Sequence, residues 1–203
     1  MAQSYNPQQI ATDYLAQNPE FGAITSELGS GNFGTAFLTD KGLVVKVTRD
    51  SNETIATKTI MDKANGQFTP KYYKLDKWGN SAYVIVMDRV TPISLSDSES
   101  NMLNIFRDRV LDALENGNDP TAMKPMLKKL GNPKLEKILG GVIDCMVGLN
   151  SIGIRNADVQ EDNLGLINGR VVMFDIVDER DLSLHESALL VTIKKLLREY
   201  LSA

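Results

Sequence analysis

The chain is poor in cysteine, in long apolar runs and in excess positive charge. Its single cysteine, Cys145, cannot form an internal disulfide, and its apolar neighbours predict a buried thiol in a reducing compartment. No run of about eighteen apolar residues exists, and the amino terminus has no basic patch before an apolar stretch. We therefore expect a cytoplasmic protein with no membrane partner.

Positive charge is also scarce. The chain has 22 Lys and Arg against 26 Asp and Glu, which gives a net charge of −4. This balance provides no electrostatic case for a nucleic-acid partner. At 203 residues, 42% of them hydrophobic, the chain is long enough to bury a core as one domain or two small lobes.

A glycine-rich loop is the first positive signal. Gly29, Gly31 and Gly34 lie in GSGNFG between two strand-like runs, and Lys46 follows inside VVKV. Glycine lets backbone approach phosphate oxygens closely, because no Cβ intervenes and positive φ costs little. A lysine ammonium beside such a loop neutralises phosphate charge. The pattern predicts nucleotide binding.

The residues after the loop distinguish two kinds of nucleotide site. A dinucleotide-binding unit continues into a helix, with an acidic ribose ligand about twenty residues on. Here TAFLTDKGLVVKV predicts two strands joined by a turn at residues 40–42. A hairpin is the wrong successor for a dinucleotide site, so we expect a different nucleotide fold.

Local patterns predict strands in the amino-terminal half. Asn6 and Pro7 begin a short opening helix, and Asp50 with Glu53 forms a capping box for a second helix. The predicted strands cover residues 24–28, 35–39, 43–48, 71–76 and 82–87. This half is therefore expected to be a five-stranded antiparallel sheet with one helix laid on it.

The carboxy-terminal half is expected to be mainly helical. After a polar stretch over 91–100, the predicted helices cover residues 98–116, 121–130 and 133–151, with a last helix over 183–201. The fold class is thus α+β, and residues 1–90 and 91–203 are the predicted lobes.

A second informative segment is ADVQEDNLGLINGRVVMFD. Asn168 and Gly169 between two apolar runs predict a hairpin, which brings Asn163 and Asp175 to neighbouring strand ends. Their oxygens suit Mg²⁺, which usually takes one or two protein ligands and completes its shell with phosphate and water. Asp158, on the preceding loop, would then be free to accept a proton.

At this point the chain resembles the protein kinases. That family has a glycine-rich loop, a lysine in a VAIK-like strand, an HRDxxxxN catalytic loop and the Asp of DFG. This chain has, in the same order, GSGNFG, VVK ending at Lys46, VMDRV at 86–90, NADVQEDN at 156–163, and FDIVD containing Asp175. The VMDRV segment is similar to the family's adenine-binding hinge. The resemblance implies a compact bilobal kinase-like fold that binds ATP and Mg²⁺.

The resemblance also implies roles for individual residues. Met87 would border the adenine, and Asp88 and Val90 would meet it through backbone groups. Lys46 would hold the α and β phosphates. The phosphates would be covered by Gly29, Ser30, Gly31, Asn32, Phe33 and Gly34.

The remaining roles concern the reaction. Asp158 would be the base, or the residue that orients the attacking hydroxyl, while Asn163 and Asp175 would hold Mg²⁺. Kinases pair the strand lysine with a helix glutamate, for which Glu53 is the candidate, although its capping box already explains it. Asp62 is an alternative at a more usual separation, but it is one methylene shorter.

Several positions depart from the kinase pattern. Asn156 and Ala157 replace the HRD histidine and arginine, so we expect no arginine-coupled control by activation-loop phosphorylation. Gln160 replaces the usual lysine and removes a positive charge beside the transferred group, so low or absent activity is expected. Only 28 residues follow Asp175, with no APE-like segment, so the large lobe is expected to be truncated. In this the chain resembles short phage-encoded serine/threonine kinases, which implies a host protein substrate in the host cytoplasm.

Two other functions stay open. Small-molecule phosphotransferases of the aminoglycoside kind share the fold and the DxxxxN loop, but usually have glycine and histidine around the aspartate and a larger helical lobe. The second alternative is a kinase-like nucleotide-binding module that inhibits a partner protein without chemistry. Gln160 and the short carboxy-terminal part favour that alternative.

Overall fold

The computed structural model describes residues 5–31, 34–80, 82–155 and 159–177. It has the mixed α+β architecture that the sequence predicts. The strands are β1 (Ile24–Ser30), β2 (Gly34–Thr39), β3 (Leu43–Thr48), β4 (Tyr72–Trp78), β5 (Ala82–Asp88), β6 (Thr91–Pro92), β7 (Leu164–Ile167) and β8 (Arg170–Met173). The α-helices are α1 (Pro7–Gln17), α2 (Ser51–Lys63), α3 (Asp97–Glu115), α4 (Lys124–Leu127) and α5 (Pro133–Ser151). The helix predicted over 183–201 lies outside the described residues.

Side-chain caps explain where the helices begin. The Asn6 side chain accepts a hydrogen bond from the Gln9 amide at the start of α1, and Asn132 does the same for Leu135 in α5. Proline occupies the first turn of both helices, and for α1 the sequence predicts it. The segment predicted as a helix over 121–130 is only the single turn α4 between two 3₁₀ turns, Pro120–Met123 and Lys128–Leu130.

The five long strands form one antiparallel sheet in the order β1-β2-β3-β5-β4. Alternate residues of β3 and β5 face opposite sides, so both sides of the central strands are buried. One side packs against α1 and the other against α2 and the carboxy-terminal helices. The sequence predicted a single helix on this sheet. The structure has one on each face, because the apolar side of α1 covers Val45 and Val47.

The carboxy-terminal part is built around α5. Its buried face packs against α3 and against the hairpin of β7 and β8, which turns at Asn168 and Gly169. Both turn residues have positive φ, 51° and 76°, as this two-residue hairpin requires. Strand β6 pairs with β7. A continuous buried cluster joins this part to the inner face of the sheet.

The loop between α2 and β4, which contains Phe68, binds the sheet part of the fold to the carboxy-terminal part. The Phe68 carbonyl accepts a hydrogen bond from the Met173 amide, at 2.9 Å, and one from Cys145 Sγ, at 3.4 Å. Cys145 is buried, as predicted, and burial raises the pKa of its thiol to about 12. None of the helices in the described ranges has the length and apolar character needed to cross a membrane.

Two adjacent glycines of α5 give a matched test of this packing. An added Cβ at Gly141 would overlap Val171 Cβ on β8, whereas one at Gly140 would meet only Leu127 Cδ1, at 3.9 Å. We expect Gly141→Ala to lower the free energy of unfolding by about 1–3 kcal/mol, because the hairpin must move. Gly140→Ala should raise it by up to about 1 kcal/mol through helix propensity. Urea denaturation measures both, and shifts of the same sign would contradict the packing described.

Candidate active site

Strand alternation points Lys46 into the interior between the two parts of the fold. Val45 and Val47 face α1, so Lys46 lies on the opposite face of β3 together with Val44. Its side chain is 11% exposed. A buried ammonium without a carboxylate partner is costly, so this position requires one.

Glu53 is that partner. Lys46 Nζ lies 2.7 Å from Glu53 Oε1, and the Glu53 side chain is 6% exposed. Asp62, the alternative from the sequence, is exposed on α2. The predicted capping box is half correct: Asp50 accepts from the Glu53 amide, but the Asp50 amide donates to Thr48 Oγ1, at 3.1 Å. The Glu53 carboxylate is therefore available to Lys46.

Asp175 approaches the same ammonium from the carboxy-terminal part. Its Oδ1 lies 2.5 Å from Lys46 Nζ, and its side chain is 47% exposed. Asp175 follows β8 and has a φ of +57°, which costs energy for a residue with a Cβ. Such strained conformations are found mostly at functional sites, where the surrounding structure holds them.

In the cluster of these three side chains, two carboxylates lie against one ammonium. Burial acts to lower the pKa of Lys46, but the Glu53 and Asp175 carboxylates outweigh it and raise this pKa above its usual value. Burial raises the pKa of Glu53, and the Asp175 carboxylate adds to this effect against the opposing influence of Lys46. Lys46 therefore stays charged at neutral pH.

The backbone of Asn163 lies beside the segment that carries Asp175. The Asn163 carbonyl accepts a hydrogen bond from the Phe174 amide, at 2.9 Å, so the residue after that amide is adjacent to Asn163. The described ranges contain no group of three or more His, Cys, Asp or Glu arranged to hold a metal ion. A carboxylate and a neighbouring carboxamide nevertheless fit Mg²⁺, which binds proteins through few oxygen ligands when phosphates complete its shell.

The glycine-rich loop connects β1 and β2. The Gly31 amide donates to the Gly34 carbonyl, at 2.8 Å, and closes the turn. A Cβ at Gly29 or Gly31 would meet nothing within 4 Å, whereas one at Gly34 would lie 2.7 Å from the Val47 carbonyl oxygen. Gly34 is thus required for strand packing. None of these three glycines has a positive φ, so conformational freedom is not the reason for them; open space is the property that suits a ligand.

The predicted hinge connects the two sheets. Met87 is buried and faces the same side of the sheet as Lys46, since it belongs with Val44 to the inner cluster. The Asp88 amide donates to the Lys71 carbonyl, at 2.9 Å, and its carboxylate accepts from the Tyr73 hydroxyl, at 2.8 Å. Val90 packs over Gly165 of β7, where a Cβ would overlap its side chain.

The structure does not describe several residues of the predicted site. Asp158, Asn32 and Phe33 lie outside the described residues, as do Asn156 and Ala157. Ser30 is described, and its hydroxyl lies 3.0 Å from that of Thr35 across the β1–β2 pair. The roles assigned to all of these residues stay predictions.

Sequence reasoning missed two residues that hold the loop after Asp158. Glu161 accepts a hydrogen bond from the Leu95 amide, at 2.7 Å, and another from the Ser100 hydroxyl. Arg107 of α3 donates to the Val159 carbonyl, at 3.3 Å. Together they hold the residues on both sides of Gln160 against α3 and the segment that precedes it. The only sequence signal was the position of Glu161 inside DVQEDN, which does not identify its partners.

The Lys46–Glu53 pair can be tested against Asp62 on the same helix. We expect Glu53→Gln to lower the free energy of unfolding by about 1–3 kcal/mol, because Lys46 stays buried with Asp175 as its one remaining carboxylate. Asp62→Asn removes the same charge from an exposed site and should change stability by less than about 0.5 kcal/mol. Urea unfolding at neutral pH measures both, and equal losses would show that the buried pair contributes nothing specific.

The comparisons with known proteins find similarity among solved structures. No protein-family model and no curated protein matches the chain. Among solved structures, the chain is similar to the PK-1 kinase of Cydia pomonella granulovirus, with a TM-score of 0.44 and 14% identity. The alignment covers 80% of this chain and 56% of that kinase, so the chain spans about half of its length. The likeness concerns the kinase-like fold alone.

Proposed function

We propose that the protein is an ATP- and Mg²⁺-dependent protein kinase that transfers the γ-phosphoryl group to a serine or threonine hydroxyl. The observation that supports this most directly is the cluster of Lys46, Glu53 and Asp175, which come from β3, α2 and the end of β8. These are three of the residues for which the kinase resemblance implies a role. Their meeting at one cation gives them the proximity that phosphoryl transfer requires.

In the proposed mechanism, Lys46 binds the α and β phosphates while Glu53 keeps its ammonium in position. Asn163 and Asp175 would hold Mg²⁺, which supplies charge neutralisation at the phosphates. The Asp175 side chain is about half exposed, which suits a group that would meet a bound ion. Met87 provides an apolar surface for the adenine base.

The proposed transfer forms one bond and breaks one. The substrate oxygen attacks the γ-phosphorus, the bond from that phosphorus to the bridging oxygen breaks, and ADP leaves with the electron pair. The hydroxyl proton passes to the Asp158 carboxylate. Glu161 and Arg107 hold the residues that follow Asp158, so they act on catalysis through position only.

The proposed substrate is a protein, and by resemblance to short phage-encoded kinases we propose a host protein. Gln160 replaces a lysine that neutralises charge beside the transferred group, so we expect slow turnover. A kinase-like module that binds nucleotide without transferring phosphate is the main competing function. Turnover and nucleotide binding must therefore be measured separately.

Transfer is tested with labelled ATP, Mg²⁺ and bacterial extract. We expect protein-bound label with the parent chain, a fall of at least about a hundredfold with Asp158→Ala, and none after chelation of Mg²⁺. Asp162→Ala is a matched control, since it removes a carboxylate from the same loop, and it should retain most of the activity. Label that does not depend on Asp158 would overturn the proposal.

Nucleotide binding is tested by thermal shift with ATP and Mg²⁺. A ligand that binds only the folded state raises Tm, so the parent should be stabilised and Lys46→Met should lose most of this shift. Lys74→Met removes a lysine from the exposed face of β4 and should leave the shift unchanged. A shift without label transfer would favour the binding module, and no shift at all would exclude both functions.

A further inference from the structure

A groove on the carboxy-terminal part lies away from the candidate active site and shares no residue with it. It has a volume of about 970 Å³ and runs along α5 between α4 and the β7–β8 turn. Apolar groups form its floor, notably Phe68, Leu127, Val171 and the backbone at Gly140. We call it the α5 groove.

At one position in the floor of the groove, a side chain is absent although the packing of α5 would permit one. Gly141 is needed for contact between α5 and Val171, but Gly140 is not, because a Cβ there would make only an ordinary van der Waals contact with Leu127 Cδ1, at 3.9 Å. Glycine inside a helix lowers its stability relative to alanine. The missing side chain at Gly140 therefore leaves room in the groove for a group from another molecule.

The rim of the groove is basic although the chain as a whole is acidic. Four cations and two carboxylates line it: Lys124, Lys128, Lys137, Arg170, Glu136 and Asp144. Lys124 pairs with Asp144 at 2.5 Å. In the part of the chain that the structure describes, no carboxylate lies within ion-pair distance of Lys128, Lys137 or Arg170. Within those residues, three cations at this rim therefore have no ion pair.

Arg170 and Lys137 stand close together at one end. Arg170 donates to the carbonyls of Gln67 and Gly66, which holds its guanidinium beside the groove. A Cβ at Gly169 would lie 3.6 Å from Lys137 Nζ, so this ammonium lies over the same turn. Lys128, at the end of α4, supplies a further cation.

We propose that the α5 groove docks a short acidic peptide segment that carries an apolar anchor residue. The apolar floor takes the anchor above Gly140, and the basic rim pairs with carboxylates on either side. A concave apolar floor with few cations suits a peptide better than a sugar–phosphate backbone. A second part of this proposal rests on the proposed function: the segment belongs to the protein substrate. The α5 groove then holds the substrate at a place away from the site of phosphoryl transfer.

The test uses two fluorescein-labelled peptides, one of glutamate and leucine and one in which lysine replaces each glutamate. Fluorescence anisotropy should show saturable binding of the glutamate peptide alone. Lys128→Glu/Lys137→Glu should weaken it at least about tenfold, because both cations become repulsive. Lys74→Glu/Lys77→Glu makes the same charge change at two exposed residues of β4, which do not line the groove, and should leave the affinity within about twofold.

The floor is tested by Gly140→Leu, which should weaken the glutamate peptide about tenfold by filling the gap, and by Gly140→Ala as its smaller control. Several results would overturn the proposal: equal binding of both peptides, no saturable binding, or equal weakening by the two lysine-pair reversals. Competition by a single-stranded oligonucleotide would assign the groove to nucleic acid. Self-association lost on reversing Lys128 and Lys137, seen by sedimentation velocity, would assign it to a second copy.

The proposal for the groove and the proposal for the active site can be contradicted independently of each other. Lys46→Met should bind the glutamate peptide like the parent, because Lys46 does not line the groove. Absence of a nucleotide-induced Tm shift in the parent chain, with retained peptide binding, would remove only the proposed function. A normal Tm shift with no peptide binding would remove only the groove.

Discussion

The buried ammonium of Lys46 is the constraint on which the site depends. A charged group in the interior must be paired, and here the two carboxylates come from elements far apart in the chain, Glu53 on α2 and Asp175 after β8. Because both must reach one nitrogen atom, the position of α2 on the sheet and the position of the β7–β8 hairpin are coupled. Packing that places the hairpin against α5 therefore also completes the site.

Glycines maintain this arrangement mainly by permitting close approach. Gly34 lets β2 lie against the backbone of β3, Gly141 lets β8 lie against α5, and Gly165 accommodates the hinge residue Val90. None of these three has a positive φ, so each is explained by the absence of a Cβ. By contrast, a positive φ occurs at Asp175, where a side chain is needed and the backbone carries the cost.

Local patterns predicted most of the elements because their signals are local. Strand-like runs between turns located the five strands, Asn6 and Pro7 located α1, and the Asn168–Gly169 turn located the second hairpin. The prediction for Glu53 was ambiguous because one spacing from Asp50 fits both a capping box and a helix position facing the sheet. In the structure the Asp50 amide donates to Thr48 Oγ1, so the Glu53 carboxylate does not complete a capping box and pairs with Lys46. Likewise, periodicity predicted α1 but not the sheet face that it covers.

The sequence by itself determined the order of the elements, the α+β class and the residue types available for chemistry, since these follow from short-range periodicity and composition. Only the tertiary structure decided that Lys46, Glu53 and Asp175 share one cluster, that Glu161 and Arg107 hold the loop between Asp158 and Asn163, and that Lys128, Lys137 and Arg170 of the α5 groove form no ion pair with the described residues. Each of those facts is a distance between groups far apart in the chain, which no local pattern records.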